Sequence, residues 1–178
     1  MLLHALHERA LVPWTPLGRG QLAAGAGLLV LLMWLVRAGD GFIPLLDHAN
    51  LAFHEAGHPI FGLLGEAPGL YGGTLGQLIF PLVFIGRFWW QRHSLGFALS
   101  LAWLFENGFN IARYMADARA QELPLAGGGE HDWFHILSRW GMLERDVALA
   151  GSVRLLCWMG LLATLGWLAW RYLKDKER

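Results

Sequence analysis

Cysteine is almost missing from this chain of 178 residues, with Cys157 the only one. One thiol closes no internal disulfide and builds no cysteine-based zinc cluster. Its neighbours Leu155, Leu156 and Trp158 mark it as a buried packing thiol. Charge is scarce as well: Asp, Glu, Lys and Arg make up 16% of the sequence and the formal net charge is zero. A typical soluble domain carries roughly a quarter charged residues, and a chain without basic excess offers no electrostatic footprint for nucleic acid. The opening residues, MLLHALHERALVPW, lack the order of a removable signal peptide, and none is expected. No internal repeat and no low-complexity tract interrupts the sequence.

Apolar residues are abundant instead. They form 55% of the chain, with ten Trp and ten Phe. A bilayer-spanning helix takes about 20 mostly apolar residues, and five segments meet or approach this: 20–36, 42–64, 70–90, 94–118 and 147–172. Trp89, Trp90, Gln91 and Arg92 close the third, and Trp167, Trp170 and Arg171 the fifth, as aromatic and cationic interface anchors. The long polar connection ARAQELPLAGGGEHDW separates the fourth from the fifth, and Gly127 to Gly129 give it backbone freedom. After it, Trp133, Ile136, Leu137 and Trp140 recur at helical spacing, which predicts a short helix over 132–143, capped by His131 or Asp132 and lying in the interface. The expected architecture is an all-α polytopic membrane helix bundle: one integral membrane domain over 1–178, five transmembrane helices and one interfacial helix. Arg37, Arg87, Arg92, Arg171, Lys174, Lys176 and Arg178 on one side outnumber Arg9, Arg19, Arg119, Arg139 and Arg145 on the other, which places the carboxyl terminus in the cytoplasm. The expected location is a bacterial inner membrane.

The second segment contains FHEAGHPIF, residues 53–61, in which His54, Glu55 and His58 fit H-E-x-x-H. Residues four apart lie one above the other on a helix, so both imidazoles can reach one ion. Glu55 is turned about 100° from His54, where it can touch a water at the metal without occupying the metal. Ionisable groups inside a spanning helix are functional candidates by default; the bland alternative is a pair of hydrogen-bonding histidines with no metal. On a helical wheel Asp47, Asn50 and His58 fall within about 40° of His54, one polar stripe. Asp47 or Asn50 would orient an imidazole or cap the helix start. Pro59 is expected to kink or end the helix at the site.

Two histidines do not complete a catalytic zinc site, which usually has three protein ligands. The fourth segment carries a second stripe: Asn110, Arg113 and Asp117 fall within about 40° of Glu106. Glu106 and Asp117 are both possible ligands, Arg113 is placed to pair with Asp117 at i+4, and Asn110 is placed to hold a substrate carbonyl or oxyanion. By depth, Glu106 at about 18 Å is level with His54, and Asp117 at about 35 Å is not. The loop adds His131 and Asp132, which a glycine hinge would let fold back into the cavity. His4, His7, His93 and His135 read as ordinary surface or interface residues.

HEAGH in a membrane helix resembles the site-2-protease-like intramembrane zinc metalloproteases, and also a group of small bacterial membrane proteins with the same motif. The resemblance implies a core of three helices, here the second to fourth segments, with Asp117 as third ligand beside His54 and His58. The loop Gly72-Gly73-Thr74 parallels a glycine-containing segment of the family. The aspartate stands here in Met115-Ala116-Asp117-Ala118-Arg119, without the glycine that usually follows it. The expectation that results is a zinc-dependent intramembrane hydrolase, a metalloprotease acting on a membrane protein or peptide, with one Zn²⁺ on His54, His58 and Asp117 (Glu106 or His131 as alternatives), Glu55 as general base and Asn110 beside the substrate. Membrane lipids are its other expected partners. A lipid or small-molecule hydrolase, and a non-enzymatic membrane partner with structural histidines, are the competing expectations.

Overall fold

The computed structural model describes residues 1–126 and 129–177. Gly127 and Gly128 of the expected hinge, and Arg178 of the charge tally, lie outside the described residues. Among the described residues there is no strand. Seven α-helices follow one another among these residues: α1 (Leu2–Leu11), α2 (Arg19–Ala38), α3 (Pro44–Gly62), α4 (Glu66–Gln91), α5 (Ser94–Ala116), α6 (Asp132–Arg139) and α7 (Asp146–Lys176), the last entered through a 3-10 turn at Leu143–Arg145. The polar amino-terminal stretch is thus helical, which its sequence did not signal. Arg9 of α1 donates to the Trp90 carbonyl, and Arg92 Nε donates to the Arg9 carbonyl at 2.8 Å.

Among the described residues, three helices are long and apolar enough to cross a membrane: Arg19–Ala38, Glu66–Gln91 and Leu143–Lys176. Only 17%, 28% and 22% of their apolar windows is buried, so their apolar side chains face outward. Exposed Leu31, Trp34, Val83, Leu155 and Leu162 form the kind of continuous apolar surface that water disfavours. Five spans were expected, and the shortfall lies in α3 and α5. A charged residue at a helix centre costs about 2.5–3.5 kcal/mol on insertion, against about 0.3–0.6 kcal/mol gained per Leu or Phe, and these two helices carry the polar stripes. The stripes do not face outward, however: Asp47, Asn50, His54, Glu106 and Asn107 are all buried.

α5 is the central helix, with α4 on one side and α7 on the other, while α2 leans on both α5 and α7. Leu29 and Val36 of α2, Ala98, Ala102 and Phe109 of α5, and Cys157, Leu161 and Leu168 of α7 form one core. A second core joins Ile111, Ala112 and Met115 of α5 to Trp133, Ile136 and Leu137 of α6 and Ala150 of α7. The apolar face of α6 is therefore spent inside the protein rather than on a membrane interface. The helix is also shorter than 132–143, because Gly141 takes φ 65 and turns the chain.

α3 and α4 pack most closely of all. Glycine permits this: a Cβ on Gly76 would fall 2.8 Å from the Gly57 Cα, so the two backbones touch, as small residues allow in membrane helix pairs. Gly72, Gly73 and Thr74, expected as a loop, lie inside α4. Pro59 does not end α3, which runs on to Gly62. Pro59 and Glu55 both sit on the exposed side, so the interruption falls away from the packed face.

Candidate metal centre

His54 and His58 lie one turn apart on α3, with their Nε2 atoms separated by 3.2 Å. Asp132, the first residue of α6, places Oδ2 at 2.8 Å from His54 Nε2 and 3.2 Å from His58 Nε2. The ligand atoms of these three residues all lie within 4.8 Å of one another. Ligand atoms held at 2.0–2.1 Å from a tetrahedral ion stand about 3.3 Å apart, so the triangle has nearly the dimensions one zinc-sized cation requires.

The rings are also oriented for it. His54 Nδ1 faces Gln77 Oε1 at 3.2 Å, and His58 Nδ1 faces the Gly69 carbonyl at 2.9 Å. An acceptor at Nδ1 keeps the ring proton there and leaves the Nε2 lone pair free for an ion. Two lone pairs aimed at each other across 3.2 Å repel unless a cation or a proton lies between them. Space for the rings comes from Gly73, where a Cβ would stand 2.6 Å from His58 Nε2 and closer still to His54 Nε2. Gly73→Ala should accordingly push the rings apart and weaken zinc binding by about 10–100-fold, the range seen when ligand orientation is lost. Competition against a chelating dye measures this, and an unaltered affinity would show that the rings do not depend on this gap.

A chain of buried amides stands behind the rings. Asn107 Nδ2 donates to the Gln77 carbonyl at 2.9 Å and to Asn50 Oδ1 at 3.1 Å, and Trp103 Nε1 donates to the same Asn50 oxygen at 3.0 Å. Asn50 Nδ2 donates to Glu106 Oε2 at 2.9 Å. Glu106, a candidate ligand by depth, thus ends a hydrogen-bond chain leading to Gln77 and does not stand among the converging atoms. Asp117 does not join them either. α5 stops at Ala116, and the Asp117 carboxylate accepts the backbone N–H groups of Glu122 at 2.9 Å and Leu123 at 3.1 Å.

His131 caps α6: its Nδ1 accepts the Phe134 N–H at 3.3 Å, and its Nε2 lies 3.4 Å from Asp117 Oδ2. Burial pushes the His131 imidazole below its ordinary pKa, against the pull of Asp117. A neutral ring with an accepting Nδ1 carries its proton on Nε2, facing Asp117. The cap and the candidate ligand are therefore neighbours with separate tasks. Tyr114 binds them together: its ring lies 4.2 Å from that of His131 and its hydroxyl accepts the Asp132 N–H at 3.1 Å.

Two cavities meet at the triad. One, of about 380 Å³, is lined by Asp47, His48, His54, Glu55, Gln77, Asn110, Arg113 and Tyr114 among apolar residues. The other, of about 650 Å³, is lined by His54, Glu55, His58, Tyr114 and Asp132. Glu55 is exposed and borders both. Asn110 borders only the smaller, facing Asp47. Among the remaining histidines, His93 caps α5, accepting from Gly96 N at 2.9 Å, and His135 and His4 face Glu130 and Glu8. Gln77, Gly69, Gly73 and Tyr114 were not signalled as site residues by sequence. For Gln77 a signal existed, a lone amide inside the apolar run TLGQLIF.

Compared with models of known families, with curated proteins and with solved structures, the chain finds no match.

Proposed function

We propose that this protein is an integral membrane hydrolase dependent on one divalent ion, zinc by ligand type, held by His54, His58 and Asp132, with α2, α3, α4, α5 and α7 as its five spans. The preferred substrate is a peptide bond in or near the bilayer. One observation carries the reading: two Nε2 atoms and a carboxylate oxygen converge within 3.2 Å while both Nδ1 atoms are held by acceptors. A solitary structural histidine pair needs no such arrangement.

When bound, the ion supplies Lewis acidity, polarising a carbonyl and making water easier to deprotonate. The chain's own residues do the rest. Glu55, next to a ligand and open to both cavities, accepts the proton of the attacking water and returns it to the leaving group. The Tyr114 hydroxyl already accepts the Asp132 N–H, so its own proton is free to be donated toward the cavity it lines. Asn110 offers an amide donor on the same wall. The Gln77 side-chain oxygen, an acceptor at Nδ1, keeps the His54 ring in one tautomer.

A cavity of about 380 Å³ falls in the range of small-molecule sites, roughly 300–1,000 Å³, and this supports a second reading, a hydrolase of lipids or other small amphiphiles. The test is elemental analysis of purified protein followed by turnover in proteoliposomes. About one zinc per chain is expected, with cleavage of a membrane-embedded peptide abolished by chelator and restored by zinc. Protein that lacks a stoichiometric transition ion ends the metal reading. Metal-bearing protein inert on peptides and active on lipid esters decides for the second substrate class.

A further inference from the structure

Among the described residues, the smaller cavity contains an arginine with no ion-pair partner. Arg113 was expected to pair with Asp117, but that carboxylate is taken by the Glu122 and Leu123 amides. Among the described residues Arg113 takes part in none of the ion pairs. Its guanidinium stands 5.0 Å from the Phe42 ring centroid, which holds it in place without neutralising it. Two carboxylates share the cavity and neither lies within ion-pair distance of Arg113. Asp47 accepts the Ile43 N–H and faces Asn50, Glu106 and Asn110. Glu55 follows the ligand His54 on α3, about two turns further along than Asp47.

An arginine inside a spanning helix is costly and ordinarily finds a partner. The cavity that Arg113 lines has apolar walls from Phe42, Leu51, Leu123 and Leu125 and polar groups from Asp47, His48, Asn110 and Tyr114. The cavity therefore brings together a guanidinium held over an aromatic ring, His54 and Glu55, and a stretch of hydrocarbon wall. From Asp47 to His54 is about 10 Å along α3, room for a short alkyl or peptide stretch.

We propose that Arg113 binds the anionic group, a carboxylate or phosphate, of an amphiphilic substrate whose apolar part lies along Leu51, Leu123 and Leu125 and whose scissile bond reaches His54 and Glu55. The inference rests on the hydrolase reading above and adds the substrate's charge and polarity. Arginine suits this task because its planar fork meets carboxylate or phosphate oxygens with two parallel hydrogen bonds.

The experiment is titration calorimetry on the full-length zinc-bearing protein in nanodiscs of zwitterionic lipid, using hexyl phosphate, hexanoate, hexanol and inorganic phosphate. Hexyl phosphate and hexanoate should bind at least about tenfold more tightly than hexanol or inorganic phosphate. Arg113→Met, which keeps the stem that packs on Phe42, and Arg113→Gln should each erase that advantage with hexanol binding unchanged. Arg113→Lys should keep part of it. Preference for the phosphate over the carboxylate assigns a lipid headgroup, and the reverse assigns a free carboxyl terminus or fatty acid. The proposal is overturned if both charge-removing variants bind hexyl phosphate as the parent does, or if inorganic phosphate alone binds as tightly as hexyl phosphate. Zinc content and turnover of the same preparation separate the two readings. Intact turnover without anion preference removes only the role of Arg113. Arg113-dependent anion binding without turnover removes only the hydrolase.

Discussion

Asp132→Ala leaves purified protein with less than about a tenth of the zinc carried by the parent, whereas Asp117→Asn leaves zinc content unchanged. The contrast follows from where the two carboxylates are employed. Asp132 Oδ2 stands 2.8 Å and 3.2 Å from the two Nε2 atoms, so its removal takes away one of the three candidate ligands and the only negative charge among them. A catalytic zinc site rarely functions with two protein ligands. Asp117 is bound to the backbone of the loop that follows it and touches the centre only through His131. Its amide replacement should therefore act on the loop, through a charge-assisted hydrogen bond worth about 1.5–3 kcal/mol, and not on the candidate centre. Plasma emission spectrometry on dialysed protein measures both. Zinc lost from Asp117→Asn and kept by Asp132→Ala would reverse the assignment and restore the ligand that the family resemblance implies.

Glu55→Gln should lower turnover by about 10²–10⁴-fold, the usual worth of a positioned general base, while the zinc content stays at the parental value. Glutamine keeps the size and polarity of the side chain and loses only the ability to take a proton. Glu55 is exposed on the cavity side of α3, so nothing in the packing depends on its charge. The pair of measurements matters more than either alone: turnover lost together with zinc would make Glu55 a ligand, and turnover retained with zinc present would make another group the base.

Much of this centre could be read from the chain itself, and the reasons are local. His54, Glu55 and His58 share one helix, and helical spacing dictates which of them lie together. The stripe of Asp47, Asn50 and His54 is the buried face of α3, as its angular positions on the wheel require. The third ligand could not be read this way. The wheel for the fourth segment carries Asp117 to the Glu106 face only if the helix continues, and α5 stops one residue earlier. Two backbone amides, five and six residues downstream, then capture the carboxylate. Asp132 appeared only as a candidate helix cap or one member of a hinged loop, because its position depends on how α6 buries Trp133, Ile136 and Leu137 against α5, a tertiary event. Gln77 and Gly73 became visible only once α4 lay against α3. The membrane signal was likewise divided: α2, α4 and α7 show it in composition, while α3 and α5 dilute it with the side chains that make the site.

The backbone contact of Gly57 with Gly72 and Gly76 has a bearing on traffic. A seam closed at main-chain distance offers no doorway, and prising it open would tear the imidazole pair from Gly69 and Gln77. The two chambers beside the candidate centre have His54, Glu55, Tyr114, Leu125 and Ala126 in common. Access to the imidazoles is therefore left to those chambers and not to the α3–α4 seam.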